Sequence, residues 1–173
     1  GLVQMLKGNY ADAVTAFKQA IDLNSGNSTA HYGLGRTYFK QGLYDEALKE
    51  LNTSLYQHRN SAPVRITRGQ VYQAQGNTVA AVSEFREAIS LKPEVPEAYL
   101  GIAEIRENRG DLEHAIAELK SGVELMPDNV ALHERIGDLS LKLEKLDDAI
   151  KEYSLVLDNQ PQSGTAAQGL TRA

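Results

Sequence analysis

GLGRTYFKQGLYDEALKELNTSL, residues 33–55, contains a pattern that returns every 34 residues along this chain without an insertion. Its alanine, Ala47, has counterparts at Ala13, Ala81, Ala115 and Ala149, and its turn glycine, Gly42, at Gly8, Gly76 and Gly110. A unit this small cannot bury its apolar face alone, because one supersecondary element offers too little surface. The fixed period therefore predicts a stack of similar units, each packed against its neighbours.

Apolar columns around these markers predict two helices in each unit. One column holds bulky side chains, and a second follows it by four residues: Phe17, Leu51, Phe85, Leu119 and Tyr153, then Ile21, Leu55, Ile89, Val123 and Leu157. Spacings of three, four and seven residues place such columns on one helical stripe. The repeated glycine ends the first helix, and a proline at Pro93, Pro127 and Pro161 follows the second. No segment alternates with period two, so we expect no sheet.

The helix boundaries follow from this punctuation. The predicted helices are Ala11–Asn24, Ser28–Lys40, Asp45–His58, Ala62–Gln75, Val79–Leu91, Pro96–Arg109, Glu113–Met126, Val130–Leu143, Asp147–Asn159 and a last helix from Thr165. Small residues at Gly35, Gly69, Ala103 and Gly137 predict that the two helices of a unit approach closely, since interaxial distance depends on the side chains at the contact.

The pattern resembles the tetratricopeptide repeat (TPR) family. The match recurs in AEIRENRGDLEHAIAELKSGVELMP, residues 103–127, and in every other unit. The resemblance implies an all-α, right-handed superhelical solenoid of antiparallel helix pairs. In that register we expect a partial repeat at 1–27, complete repeats at 28–61, 62–95, 96–129 and 130–163, and the start of a further repeat or capping helix at 164–173. The partial ends predict that the chain is a fragment of a longer protein.

Four positions depart from the family pattern, and two of them, Arg106 and Ser140, stand where Tyr38 and Tyr72 stand in other repeats. Glu144 replaces the turn glycine, which forces a left-handed glutamate at a cost of about 1–2 kcal/mol. Arg68 stands in the apolar column, where we expect its stem to pack while its charged head reaches water.

Composition and charge exclude several classes of function. A net charge of −5 argues against a nucleic-acid partner, and the arginines at Arg36, Arg59, Arg65 and Arg68 are expected to be mainly solvated. No apolar run reaches the roughly 18 residues of a membrane span, so we expect no membrane insertion by this segment. The absence of cysteine removes disulfides and thiolate chemistry and leaves both cytoplasm and periplasm open. The histidines, including His31 and His133, read as structural, and we predict no catalytic residue, no metal and no cofactor.

The resemblance places a binding wall on the first helix of each unit. Carried over residue by residue, its partner-binding side chains are Tyr32, Arg36, Phe39, Lys40, Ile66, Gln70, Gln73, Glu97, Leu100, Glu104, Glu107, Glu134 and Asp138. The wall is aromatic and basic toward its N-terminal end and acidic toward its C-terminal end. A wall of one sign attracts a partner of the opposite sign. We therefore expect an extended or helical partner segment that is basic at the acidic end and apolar at Tyr32 and Phe39. Equally, the glutamates could be helix-favouring solvent residues.

Three functional readings stay open. The first is a non-catalytic scaffold whose whole role is to bind a protein or peptide segment. The second is a partner- or substrate-recruiting arm of a larger enzyme or envelope machine, such as a glycosyltransferase, a polysaccharide secretion factor or a pilus biogenesis factor. The third is self-association through terminal repeats without a polar cap, where Leu2, Val3, Met5 and Leu6 are expected to be exposed.

Overall fold

The structure, a computed structural model, describes all 173 residues and consists of eleven α-helices without a strand. The helices are α1 (Leu2–Leu6), α2 (Tyr10–Leu23), α3 (Ser28–Lys40), α4 (Tyr44–Gln57), α5 (Ala62–Ala74), α6 (Thr78–Leu91), α7 (Pro96–Asn108), α8 (Leu112–Leu125), α9 (Val130–Lys142), α10 (Leu146–Asn159) and α11 (Gly164–Arg172). They form two compact units, Gly1–Leu91 (unit 1) and Lys92–Ala173 (unit 2). The predicted all-α fold class is confirmed.

The predicted helix boundaries agree with the structure to within one residue. All five second helices begin one residue earlier than predicted, as α4 does at Tyr44, and three of them also end one residue earlier. The earlier end has a backbone cause, since Asn24 after α2 and His58 after α4 have left the helical region, with φ of −151° and −136°. The first helices α5, α7 and α9 also end one residue short of prediction.

Unit 1 is a succession of packed helix pairs. Each helix packs against the next, in the order α1–α2, α2–α3, α3–α4, α4–α5 and α5–α6. One core cluster joins Phe17 of α2 to Ala30 and Leu34 of α3, and a second joins Leu51 of α4 to Val71 of α5. The apolar columns of the sequence thus pack into core clusters between successive helices of the unit.

Unit 2 repeats this arrangement with α7–α8, α8–α9, α9–α10 and α10–α11. Tyr153 and Val156 of α10 are fully buried, and they cluster with Ala149 and with Ala166 of α11. Leu119 of α8 and Leu132 of α9 are also inaccessible to solvent.

None of the eleven helices combines the length and the apolar character that a membrane span needs.

The turn predicted at residue 144 is present. Gly8, Gly42, Gly76 and Gly110 all have φ between 75° and 78°, and Glu144 adopts the same left-handed region with φ of 57°. Glu144 is the single residue other than glycine with a positive φ in the chain. The repeated turn therefore persists where its glycine is lost, so packing of the flanking helices holds the glutamate in a conformation it does not favour.

The small residues on the first helices allow the predicted close approach of the second. A Cβ atom added at Gly69 would lie 2.6 Å from Phe85 Cε1, and one added at Gly137 would lie 2.8 Å from Tyr153 Cε1. Carbon atoms in contact normally sit about 3.5–4.0 Å apart. Each ring therefore occupies the space that a side chain on the partner helix would need.

Candidate functional site

The predicted binding residues lie on the first helices and form one face in each unit. The unit 1 face comprises Tyr32, Arg36, Phe39 and Lys40 of α3 with Ile66, Gln70 and Gln73 of α5; the unit 2 face comprises Glu97, Leu100, Glu104 and Glu107 of α7 with Glu134 and Asp138 of α9. The structure packs α3 against α5 and α7 against α9. Lys40, Glu97 and Glu104 are exposed, whereas the other ten side chains are half-buried.

Tyr32 is held by its neighbours in the unit 1 face. The Arg36 guanidinium lies 5.5 Å from the centroid of the Tyr32 ring, which is within range of a cation–π contact. Thr67 Oγ1 of α5 donates its proton to the Pro63 carbonyl oxygen at 3.0 Å, so it can accept from the Tyr32 hydroxyl, which lies 3.5 Å away. Tyr32 also lines a cleft of about 200 Å³ whose other walls are mainly polar: Ser28, Thr29, Ser54, His58, Ser61 and Val64. The tyrosine is therefore positioned before any partner arrives.

Phe39 contributes to packing as well as to the unit 1 face. It lies against the core cluster that contains Leu51 and Val71, and its ring centroid is 6.2 Å from that of Tyr44. Because part of the ring is used in this way, only its half-exposed side remains for a partner.

Glu97 and Glu104 are the exposed carboxylates of the unit 2 face, and neither forms an ion pair. They are seven residues apart on α7, so they share one side of the helix about 10 Å apart along its axis. Uncompensated charges of the same sign at this spacing offer two docking points for cations.

Glu107 has a different environment. Its side chain is only 11% exposed, and it pairs with Arg135 and with Lys142, whose Nζ lies 2.5 Å from Glu107 Oε1. Both cations come from α9, so the three side chains form a brace between α7 and α9. Glu107 is thereby neutralised within unit 2.

The two carboxylates from α9 are also partnered. Asp138 Oδ1 accepts a hydrogen bond of 2.7 Å from the Tyr153 hydroxyl, and Glu134 accepts one of 2.8 Å from Ser163 Oγ. Burial, followed by the hydrogen bond to Asp138, raises the pKa of Tyr153 well above its ordinary value. The Tyr153 hydroxyl therefore keeps its proton and remains a donor to Asp138.

The acidic C-terminal end of the wall stays a prediction, but cations also surround Asp138. A cleft of about 320 Å³ there is lined by three cations, one aspartate and one leucine: Arg135, Lys142, Arg172, Asp138 and Leu141. Two of these cations lie outside the predicted wall. Arg172, in the segment 164–173, occupies the column of Arg36 and Asp138, and Arg135 replaces small residues in the column of Gly33 and Gly101. Both signals are present in the sequence.

His31 and His133 have the same environment in their respective units. His133 Nδ1 lies 2.5 Å from Glu152 Oε2 and Nε2 lies 2.8 Å from the Pro127 carbonyl oxygen; His31 meets Glu50 Oε2 at 2.6 Å and the Ser25 carbonyl at 3.1 Å. Each ring thus joins its first helix to the second helix and to the preceding turn. Their structural reading fits this geometry, although sequence reasoning overlooked the glutamate that recurs 19 residues after each histidine.

Arg68 does not send its charged head into water, contrary to the sequence prediction. Its side chain is 17% exposed, with Nη2 3.3 Å from Glu84 Oε1, while Arg65 reaches the other oxygen of Glu84 at 3.4 Å. The Arg68 guanidinium also lies over the Tyr72 ring. An ion pair between α5 and α6 accounts for an arginine in an apolar column, because a buried charge needs a partner.

No cluster of three or more His, Asp or Glu side chains with metal-binding geometry occurs in the structure.

Comparison with known families supports the repeat pattern directly. One tetratricopeptide repeat model matches residues 4–70 and 109–173, and a second matches residues 66–129. The chain belongs to the tetratricopeptide repeat family. A search of curated protein sequences gives no match.

Solved TPR structures share the fold at low sequence identity. TTC0263 of Thermus thermophilus has 22% identity and a TM-score of 0.75, with 99% of this chain and 94% of that chain covered. PilF of Pseudomonas aeruginosa has 18% identity and a TM-score of 0.82, with 98% and 77% covered. YrrB, described as a TPR protein with an unusual peptide-binding site, has 20% identity and a TM-score of 0.68, with 98% and 87% covered. Family membership supports a protein-interaction scaffold as the class of function.

Proposed function

We propose that this TPR chain is a non-catalytic scaffold that binds an extended or helical protein segment on the faces of its first helices. The observation that carries the proposal is the pair Glu97 and Glu104, two exposed and unpaired carboxylates on one side of α7. Such a pair attracts cationic side chains and raises the encounter rate with a basic segment. The peptide-binding site described for YrrB supports a peptide as the kind of partner.

The basic part of the partner meets Glu97 and Glu104 in this proposal, and not the whole set of five acidic residues. Glu107, Glu134 and Asp138 already accept from Arg135 and Lys142, from Ser163 and from Tyr153. A cation that approached them would have to displace these contacts, and the exchange would return little free energy.

Unit 1 offers a separate, aromatic contact. Tyr32 and Phe39 are half-buried on α3, and Ile66 on α5 adds an aliphatic surface of similar exposure. Aromatic side chains that are already ordered lose little entropy on binding, so they are the expected hot spots for an apolar part of the partner. The exposed Lys40 and the stacked Arg36 favour an acidic residue beside that apolar part.

The test of this function is the binding of a labelled lysine- and leucine-rich peptide, measured by fluorescence anisotropy at low and high salt. Wild-type protein should bind it with an affinity that falls as salt rises, and E97K/E104K should bind roughly tenfold more weakly at low salt. The matched control is E124K/D128K, which makes the same charge change at exposed positions of unit 2 outside the face. Equal loss in both double variants, or no loss in either, contradicts the proposal.

The recruiting role within a larger enzyme or envelope machine remains the second proposal. The likeness to PilF is one of fold at 18% identity and adds nothing specific to it. It differs from the scaffold proposal in what lies outside this chain, and it would use the same two faces.

A further inference from the structure

We propose that the cleft between α9 and α11 binds an acidic side chain, aspartate or glutamate, of the partner segment. The inference deepens the proposed function, on which it rests, because it gives the partner a second charge of opposite sign. Its basis is the convergence of Arg135, Lys142 and Arg172 on one cleft of about 320 Å³, with Leu141 in the wall. A carboxylate is the group that arginine forks recognise with two parallel hydrogen bonds.

Two of the three cations are fixed before any ligand arrives. Glu107 pairs with both Arg135 and Lys142, and its own side chain is almost buried beneath them. The brace orders both side chains and so lowers the entropy that they lose on binding, but Glu107 offsets part of their charge. The charge available to a ligand therefore comes mainly from Arg172. The Arg135 side chain is itself only 28% exposed, which limits competition from water.

Arg172 is the cation of this cleft that is not held in an ion pair. It lines the cleft from α11 and forms no ion pair. Counting Glu107, the cleft has three cations against two carboxylates, which leaves it with one net positive charge. Arg172 stands in the sequence column that holds Glu104 on α7 and Asp138 on α9.

Asp138 lowers the affinity of this cleft without abolishing it. Its carboxylate is engaged by the Tyr153 hydroxyl at 2.7 Å, so part of its charge is directed toward the interior and away from a ligand. An asparagine at this position would keep an oxygen acceptor for Tyr153 and would remove the charge. Substitutions of Asp138 and of Arg172 are therefore expected to change the affinity of the cleft for a carboxylate in opposite directions.

The arrangement also orders the charges along the partner. Because α7 packs against α9 and α9 against α11, Glu104 and Arg172 are two helix spacings apart, about 16–20 Å at the usual interaxial distance. An extended segment covers that span with about five or six residues. The partner should therefore carry a basic residue over α7 and an acidic residue about five or six positions away, over α11.

The experiment titrates N-acetyl-glutamate N-methylamide into the full chain and follows backbone amide and arginine Nε–H signals by NMR. Wild-type protein should show saturable shifts confined to α9 and α11 in the millimolar range, as expected for one desolvated charge contact. R172Q should weaken binding at least threefold, and D138N should strengthen it about twofold. The control K151Q changes an exposed cation of α10 outside the cleft and should leave the affinity unchanged.

Three results would overturn the inference. The first is the absence of saturable shifts in wild type, and the second is an equal response of R172Q and K151Q. The third is inorganic phosphate binding tenfold more tightly than the blocked glutamate, which would make the cleft a phosphate site. Failure here is distinguishable from failure of the scaffold proposal, because the lysine- and leucine-rich peptide tests Glu97 and Glu104 and needs neither Arg172 nor Asp138.

Discussion

Glu144 lies in the turn between α9 and α10 with φ of 57°, a left-handed conformation that glycine adopts in the equivalent turns of the other repeats. A left-handed residue other than glycine costs about 1–2 kcal/mol, and the greater freedom of glycine in the unfolded chain takes back part of the difference. Glu144→Gly should therefore raise the free energy of unfolding by about 1 kcal/mol. Urea denaturation followed by circular dichroism measures this value.

The control for this turn is Glu87→Gly, which places glycine at an exposed position within α6 and should lower the free energy of unfolding by about 1 kcal/mol. If E144G and E87G both destabilise the protein, the left-handed turn at residue 144 carries no strain and the account of this turn is wrong.

Asp111 shows how one exposed contact changes a titration. His114 Nδ1 lies 2.6 Å from Asp111 Oδ1, and this hydrogen bond is the main cause that lowers the pKa of the Asp111 carboxyl, while desolvation acts in the opposite direction. A depressed pKa in the folded state means that the pair stabilises the fold above the ordinary carboxyl pKa. The stabilisation is lost as pH falls through the lowered value.

We expect His114→Ala to return the Asp111 pKa toward its ordinary value. NMR titration of the Asp111 side-chain carbonyl carbon measures the change, with Asp128, exposed in the next turn, as an internal reference. A pKa of Asp111 that is the same with and without His114 would show that the hydrogen bond is absent in solution.

At the scale of the helix, an aromatic ring on a second helix packs where the facing residue of the first helix is glycine. Gly69 faces Phe85 and Gly137 faces Tyr153, and a Cβ at either glycine would fall within 2.8 Å of the ring. Gly69→Ala should therefore destabilise the protein by about 1–3 kcal/mol, the usual cost of overpacking a filled core. Thermal unfolding should show a lower midpoint.

The rescue variant for that helix pair is Phe85→Leu in the G69A background, since Ala103 already coexists with Leu119 at the equivalent columns of the next repeat. A double-mutant cycle should give a favourable coupling between the two changes. Additive losses of stability would mean that the alanine is accommodated without contact with Phe85, which would contradict the close approach of α5 and α6.

The helices and their order could be predicted from sequence, while much of the site could not. Periodic alanine, glycine and proline positions are local signals, so the helix ends came out within one residue. The partners of Glu107, Asp138 and Arg68 lie on other helices, and their pairing depends on packing that no local pattern encodes. The spacing of 19 residues between His31 and Glu50, and again between His133 and Glu152, is an exception that column alignment could have found.

For the molecule as a whole, self-association remains a prediction. Leu2, Val3 and Leu6 of α1 are 50%, 63% and 73% exposed, and Met5 beside them is buried. If a second copy covers these side chains, L2S/L6S should weaken the association at least tenfold, because burial of each leucine is worth about 1.5–3 kcal/mol. Sedimentation velocity at several concentrations measures the association.

The control for association is V79S, which removes an apolar side chain of 77% exposure from α6. Its sedimentation should match that of wild type. A monomer at every concentration, or the same weakening in L2S/L6S and V79S, would exclude α1 as the contact between copies.

The central claim is that partners bind to the faces of the first helices, and site-specific photocrosslinking tests it most directly. A benzoylphenylalanine would replace Lys40 or Asn108 on the first helices α3 and α7, or Lys49 or Lys120 on the second helices α4 and α8, all of them exposed. With the lysine- and leucine-rich peptide as the probe, the account predicts crosslinks from residues 40 and 108 and few from residues 49 and 120. Crosslinks mainly from the second-helix positions would contradict it.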